Sequence, residues 1–371
     1  MKLALNKFGM TLVLVAILAL LLMQAPNAYS LELTNQEKAV TFLRNVVVLD
    51  MAKYEVNLIS QMDFPADASG VSTCTMLYNL KALGSTLEVI CNFRNNALVS
   101  CNLNPLEGAP LLSQPLTDAL DSAKNLLDRY QSYSKAAYVQ PMRAMLNTVS
   151  ELKPMTATSG DLKLTITTED YVYIEWMHTP NGIHNMYNRV ILAFQNGAFK
   201  MFTDSWNRYP IGSADVVISK EKAISIANDH ARSFSYEVGN MTVSNLAILD
   251  KPEFTRAELT MQPRENALYP HWEVVLPLER LYPGMTTAIR VTLWADTGDV
   301  ISIQATGSLG FPIPEDSKSP ETPPPSDVVS ENPNQNARNE NQSVNEYIVA
   351  GVAASVIVAA AVALALKRGK K

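Results

Sequence analysis

A chain of 371 residues, 47% hydrophobic and 18% charged, is long enough to bury more than one core, and its formal net charge of -6 understates how acidic its middle is. Residues 1–30 carry +2 and residues 347–371 carry +4, which leaves -12 on residues 31–346. A stretch that acidic excludes nucleic-acid or anionic-lipid binding through a basic face, so no nucleic-acid partner is expected.

Residues 1–30 open with Lys2 and Lys7, continue as the apolar run Thr11 to Met23 and end on Ala28-Tyr29-Ser30. This is the layout of a secretory signal peptide cleaved after Ser30. An uncleaved anchor is the alternative, but an apolar run of about 13 residues is short for a bilayer span.

The first folded unit is expected over residues 31–110. Its helix begins at Thr34, the N-cap residue, with Glu37 three positions on in capping-box spacing. The hairpin "LEVICNFRNNALVSCNL" follows at 87–103, in the neighbourhood of Cys74, Cys91 and Cys101. Outside the cytoplasm an odd count of cysteines implies one disulfide and a spare thiol, or no bond. A four-residue loop at Lys81–Gly84 sets Cys74 opposite Cys91, and a three-residue loop at Asn95–Ala97 sets Cys91 opposite Cys101. Either pairing can form, and the sequence does not choose.

A second unit is expected over residues 111–212. Its helix starts at Thr117, an added helix covers about 138–151, and the hairpin "VILAFQNGAFKMFTDSW" turns at Asn196-Gly197, a pair suited to type I′ geometry. His178 and His184 flank "TPNGI", so a hairpin there brings them together as the weak metal candidates of the chain, with Glu175 or Glu169. Exposed loop histidines are the commoner reading, and no metal or cofactor is expected.

The third unit is expected over residues 213–310. Its helix starts at Ser219 and places Ala223, Ile226, Ala227, His230 and Phe234 on one apolar face, with His230 at the core edge. Asn240-Met241-Thr242 fits the N-glycosylation pattern, as does Asn341-Gln342-Ser343 further on. The long insertion "LDKPEFTRAELTMQPRENALYP" suggests an added hairpin before "HWEVVLPLE", and "VTLWADTGDVISIQAT" closes the unit. Trp176, Trp206, Trp272 and Trp294 are all expected on strands, where aromatic residues usually fill cores.

The fold class expected is therefore α+β, as tandem units of a helix over a small antiparallel sheet. Separate sheets of three or four strands are marginal alone, so neighbouring units should pack together.

Residues 311–346, rich in Pro, Ser, Asn and Glu, bury too little apolar surface to offset their ordering entropy and are expected to form a disordered or polyproline stalk. Residues 347–366, "YIVAGVAASVIVAAAVALAL", match the roughly 20 residues a bilayer core requires. The basic tail "KRGKK" at 367–371 then predicts a cytoplasmic C-terminus beneath an N-terminus outside. The expected location is the cell membrane, spanned once.

In the third unit, "ISKEKAISIANDHA", "YPHWEVVLPLE" and "IRVTLWADTGDVISIQ" together resemble the PepSY domain family. Ala223, Ile226 and Ala227 match its helix, Trp272, Glu273 and Val274 its middle strand, and Asp296, Thr297, Gly298 and Val300 its closing turn. The resemblance covers about 218–306, and the first two units look like divergent relatives that lack the Trp-Glu-Val strand and the Asp-Thr-Gly turn. It implies extracytoplasmic α+β modules of the kind found in membrane-tethered proteins and in propeptides of secreted peptidases, where they bind or inhibit.

No phosphate-binding glycine loop, H-E-x-x-H, G-x-S-x-G or paired Cys-x-x-Cys occurs. Asp296-Thr297-Gly298 suggests an aspartic-protease loop only until a second one is sought, since that chemistry needs two carboxylates sharing a proton. The expectation is a non-enzymatic, membrane-anchored binding or regulatory protein whose partner is an envelope or surface protein, with a peptidase as one candidate. A structural or adhesive envelope component is the alternative, and a metal-dependent envelope hydrolase is third.

Overall fold

The computed structural model describes residues 33–66, 70–115 and 117–307. They belong to the first of two units into which the chain divides, Met1–Ser317; the second is Lys318–Lys371. The expected signal peptide, stalk, membrane-spanning helix, basic tail and Asn341 all lie outside the described residues. Among the described residues no helix is long and apolar enough to cross a membrane.

The first element is helix α1 (Asn35–Asn45), capped as its sequence dictates: Thr34 accepts from the Glu37 backbone and the Glu37 carboxylate accepts from the Thr34 backbone. Four strands follow, β1 (Glu55–Phe64), β2 (Thr73–Ala82), β3 (Ser85–Arg94) and β4 (Ala97–Glu107). Helices α2 (Ala119–Ser134) and α3 (Val139–Asn147) come next, then β5 (Met155–Ser159), β6 (Leu162–Thr168), β7 (Val172–His178), β8 (Arg189–Gln195) and β9 (Ala198–Asp204). The N-cap of α2 is Asp118, one residue beyond the expected Thr117: its side chain accepts from the Asp121 backbone. Thr117 instead bonds the Ser122 hydroxyl.

The first two expected units are not separate sheets. β4 pairs antiparallel with β9, joining both meanders into one nine-stranded sheet in the order β1-β2-β3-β4-β9-β8-β7-β6-β5. Alternation along β2, β3, β6 and β8 sends one row of side chains into a shared core, as period-two geometry requires. Helices α1, α2 and α3 cover that face through Phe42, Leu43, Leu127, Tyr130, Met142 and Leu146, all nearly or fully buried. Phe42 of α1, Tyr130 of α2 and Phe202 of β9 meet at the seam, with ring centroids 5.2 Å apart for Phe42–Phe202 and 4.5 Å for Tyr130–Phe202.

The third unit has its own sheet and core, and it packs on the neighbouring part of the chain through Ile183, Met261 and Leu268. Helix α4 (Lys220–Arg232), capped by Ser219, is followed by the short pair β10 (Tyr236–Val238) and β11 (Met241–Val243). A four-stranded antiparallel sheet then runs in sequence order through β12 (Arg256–Arg264), β13 (Ala267–Tyr282), β14 (Thr286–Trp294) and β15 (Val300–Gly307). Ala223, Ala227 and Ala231 let α4 sit close on Val274, Ile289 and Val291, and together they form a second core. The insertion before Trp272 supplies β12, the Glu265-Asn266 turn and the start of β13, the added hairpin expected, which widens this sheet. The described residues are thus α+β, with antiparallel sheet predominating.

Two turn geometries fix the cysteine register. β2 and β3 join through a two-residue turn, Leu83-Gly84, not the four-residue loop expected, so Cys74 lies opposite Phe93 and Met76 lies opposite Cys91. The expectation that Cys74 faces Cys91 is thereby corrected. β3 and β4 also join through two residues, Asn95-Asn96, both in the left-handed region. A bulge beyond Leu98 then shifts the register by one, which sets Cys91 opposite Cys101.

Candidate functional site

A broad concavity follows from the way the two meanders join. β4 and β9 pair over only three positions, Ser100 with Thr203, Cys101 with Phe202 and Asn102 with Met201. On the Asn95-Asn96 side the two strands part, and an open groove of 1980 Å³ lies between them. One wall is Ala97–Val99 of β4, and the other is Asp204 and Ser205 with the segment Asn207–Pro210. Tyr133 and Tyr138 close it from the helical layer, and the β12–β13 turn, Glu265-Asn266, reaches it from the third unit.

Asp204, 7% exposed, is the most constrained polar group in the groove. Its Oδ2 accepts from the hydroxyls of Tyr130 and Tyr138, the latter at 2.5 Å, and its Oδ1 accepts from the Trp206 backbone N–H at 3.0 Å. Burial, and then the Asp204 charge, push both tyrosine hydroxyls well above their ordinary range. Both hydroxyls are therefore protonated donors at neutral pH. This cluster ties α2, the start of α3 and the end of β9 together at the floor of the groove.

The basic side chains of the groove are Lys38, Arg94, Arg129 and Arg208, against Asp128, Asp204 and Glu265. Asp128 is engaged by Arg143, which has its Nε 2.9 Å away. Arg129 donates to the Val46 carbonyl at 2.8 Å, and burial lowers its pKa. Arg94 donates to the Arg208 carbonyl at 2.9 Å, and both guanidinium groups lie within cation–π range of the Tyr209 ring. The groove is thus a locally positive strip on a molecule that is negative overall.

The sequence-predicted residues are distributed elsewhere. His178 ends β7 and stacks on Trp206 at 5.4 Å, with Tyr138 stacked on the same indole. Trp206 lies beyond β9, not on a strand as expected. His184 sits in the ten-residue connection between β7 and β8, where its carbonyl accepts from the Met261 N–H of β12 at 2.8 Å. The expected tight hairpin bringing His178 and His184 together does not form, because this connection is drawn out to pair with β12. Burial lowers the pKa of both histidines. Among the described residues no group of three or more His, Cys, Asp or Glu side chains is arranged to hold a metal.

Asn240 is exposed at the β10–β11 turn. His230 is exposed, and not at the core edge as expected. His271 is 4% exposed on β13, with Nδ1 3.0 Å from the Thr260 hydroxyl and 3.1 Å from its carbonyl.

The family-like residues of the third unit hold structure together. Ala223 and Ala227 are the small contacts of α4, and Val274 is fully buried beneath it. Trp272 donates through Nε1 to the Ile218 carbonyl at 2.8 Å, which fixes the segment entering α4. Glu273 lies 3.4 Å from Arg290 Nε on the neighbouring strand. Asp296 forms a bidentate pair with Arg264, at 3.1 Å and 2.5 Å. Gly298 has φ 83° and lies against Ile218 and Ile226, so a side chain there would be both strained and crowded. In the Asp-Thr-Gly turn the carboxylate is therefore an ion-pair partner and the glycine a conformational requirement.

Neither a family model nor a curated protein matches the chain. Among solved structures, the C-terminal domain of YpeB from Bacillus megaterium is similar over 74% of this chain and 96% of that one, at 12% identity and a TM-score of 0.28. So loose a likeness carries no argument about function.

Proposed function

We propose that this chain is a membrane-anchored, extracytoplasmic binding protein of regulatory type, without catalysis of its own, and that its partner is an envelope or surface protein. The single observation that supports the reading is the groove at the β4–β9 seam. There, strand edges part after three residue pairs beside a positive strip, while the Asp204 cluster holds the floor rigid. A partly opened seam suits an extended segment that adds main-chain hydrogen bonds to β4, with the basic side chains favouring an acidic sequence. A peptidase inhibited through such a segment is one form this partner would take.

The test is site-specific photocrosslinking in native envelope. A photoreactive residue replaces Asn96 at the groove or Asp170 at the distant β6–β7 turn. A crosslink from position 96 to an acidic, extended segment of one envelope protein, absent from position 170, supports the reading. Equal labelling from both positions, or labelling of surface polysaccharide alone, overturns it in favour of a structural or adhesive component.

A further inference from the structure

Three cysteines are buried on the helix-covered face of the first meander, and the mechanism of binding uses none of them. Their relationships differ. Cys91 and Cys101 are direct cross-strand partners, fully buried, with Sγ atoms 3.8 Å apart. Cys74 is opposite Phe93, two positions out of register from Cys91. Directly opposed residues have Cα atoms about 4.5–5.5 Å apart, within the range a disulfide spans, whereas diagonal neighbours are about 7–8 Å apart and exceed it.

We propose that Cys91 and Cys101 are joined by a disulfide during export, leaving Cys74 as the one free thiol. This inference rests on the extracytoplasmic reading for its oxidising compartment. The oxidant is a thiol–disulfide oxidoreductase carrying a reactive disulfide. One cysteine of the pair attacks as thiolate and forms a mixed disulfide, and the oxidoreductase's other sulfur leaves as a thiolate. The second cysteine gives up its proton, attacks the mixed disulfide and releases the reduced oxidoreductase. Two S–H bonds break and one S–S bond forms; the chain loses two protons and two electrons, and the electrons pass to the oxidant.

The bond must form before β4 docks on β9. In the folded molecule neither sulfur is reachable, and the hydrogen bond to Cys91 together with burial pushes the Cys101 thiol well above its ordinary range. Once made, the bond ties β3 to β4 at the position where Cys101 meets Phe202 across the seam, directly beside the groove. Cys74, pushed up to about 11 chiefly by burial, stays inert.

Two measurements on the full chain in detergent test this. First, the reduced, denatured chain is refolded with oxidised and reduced glutathione, alkylated and peptide-mapped. A linked peptide pair holding Cys91 and Cys101, with Cys74 alkylated, is expected, and Cys74→Ser should leave that pair unchanged. A bond that includes Cys74, or three alkylated thiols in a chain with native circular dichroism, overturns the proposal. Second, the same map is made on protein trapped in acid directly from native envelope. The linked pair there supports the proposal whole. Three free thiols there, with the linked pair formed on refolding, would show that the strand geometry is right and that the export on which the proposal depends is wrong.

Discussion

Arg264 and Asp296 join the tips of two hairpins: the guanidinium meets the carboxylate at 3.1 Å and 2.5 Å while lying 3.7 Å from the Tyr269 ring centroid and 4.8 Å from that of Trp294. Arg264 is the residue immediately before the Glu265-Asn266 turn, which borders the groove. The turn that most resembles a known family is therefore tied, through one ion pair, to the edge of the candidate binding site.

Breaking this pair should loosen the third unit. A bidentate, partly buried charge pair stacked between aromatic rings is worth about 1–2 kcal/mol. Arg264→Ala and Asp296→Ala should each lower stability by about that amount. The double variant should cost clearly less than the two single losses added, which urea titration of all four proteins in a double-mutant cycle would read. Strict additivity would show that the two side chains do not interact.

The seam should make the first two meanders unfold as one. Phe202 is fully buried between Phe42 and Tyr130, so Phe202→Ala should cost about 3–5 kcal/mol. Tryptophan fluorescence includes the second meander through the fully buried Trp176, and thiol accessibility reports the first through the buried Cys74. The two probes should give coincident midpoints in urea, before and after the substitution. Separated midpoints would mean that the pairing of β4 with β9 contributes little.

Alkaline pH should unfold the protein cooperatively. Tyr78, Tyr130, Tyr133 and Tyr138 are all raised above their ordinary value, mainly by burial. Their neutral forms are therefore favoured by folding. That stability is complete below the unfolded tyrosine value of about 10 and is lost progressively above it. The rise of tyrosinate absorbance belonging to these residues should coincide with loss of circular dichroism. Tyr138→Phe should in addition cost about 1 kcal/mol near neutral pH, through its lost bond to Asp204.

Acid should destabilise the protein through histidine. His178, His184 and His271 have pKa values lowered by burial, so the unfolded chain binds protons that the folded one resists. Their contribution is present above the unfolded value of about 6.5 and fades as pH falls through the lower folded values. The urea midpoint should drop as the pH falls below about 6.5, and His271→Asn should flatten that drop.

The Asn95-Asn96 turn offers a gain of stability. Both residues hold positive φ, 47° and 60°, which glycine adopts at no steric cost. Asn96→Gly should raise stability by up to about 1 kcal/mol and Asn96→Val should lower it by at least as much. Thermal unfolding of the three proteins would rank them. Asn95 is the poorer site for such a change, because its Oδ1 also accepts from the Ser72 N–H at 2.9 Å.

By itself the sequence determined what short-range forces determine. The Thr34 and Ser219 caps, the Asn196-Gly197 turn, the buried alternation of the strands and the small face of α4 are decided within a few residues of chain, so they are written in it locally. The Thr117 cap failed by one residue because Asp118 competes for the same role. The tertiary structure decided the rest. Ser100 and Thr203 are about a hundred residues apart, and no local pattern says that the edge of β4 accepts β9 when any antiparallel edge presents the same backbone groups. From that one pairing come the nine-stranded sheet, the groove and the burial of Asp204 beneath two tyrosines. His178 and His184 were separated for a similar reason, since β12 recruits the chain at His184. The cysteine register was decided between these levels: turn length and a single bulge set it, and an alternating sequence leaves both open.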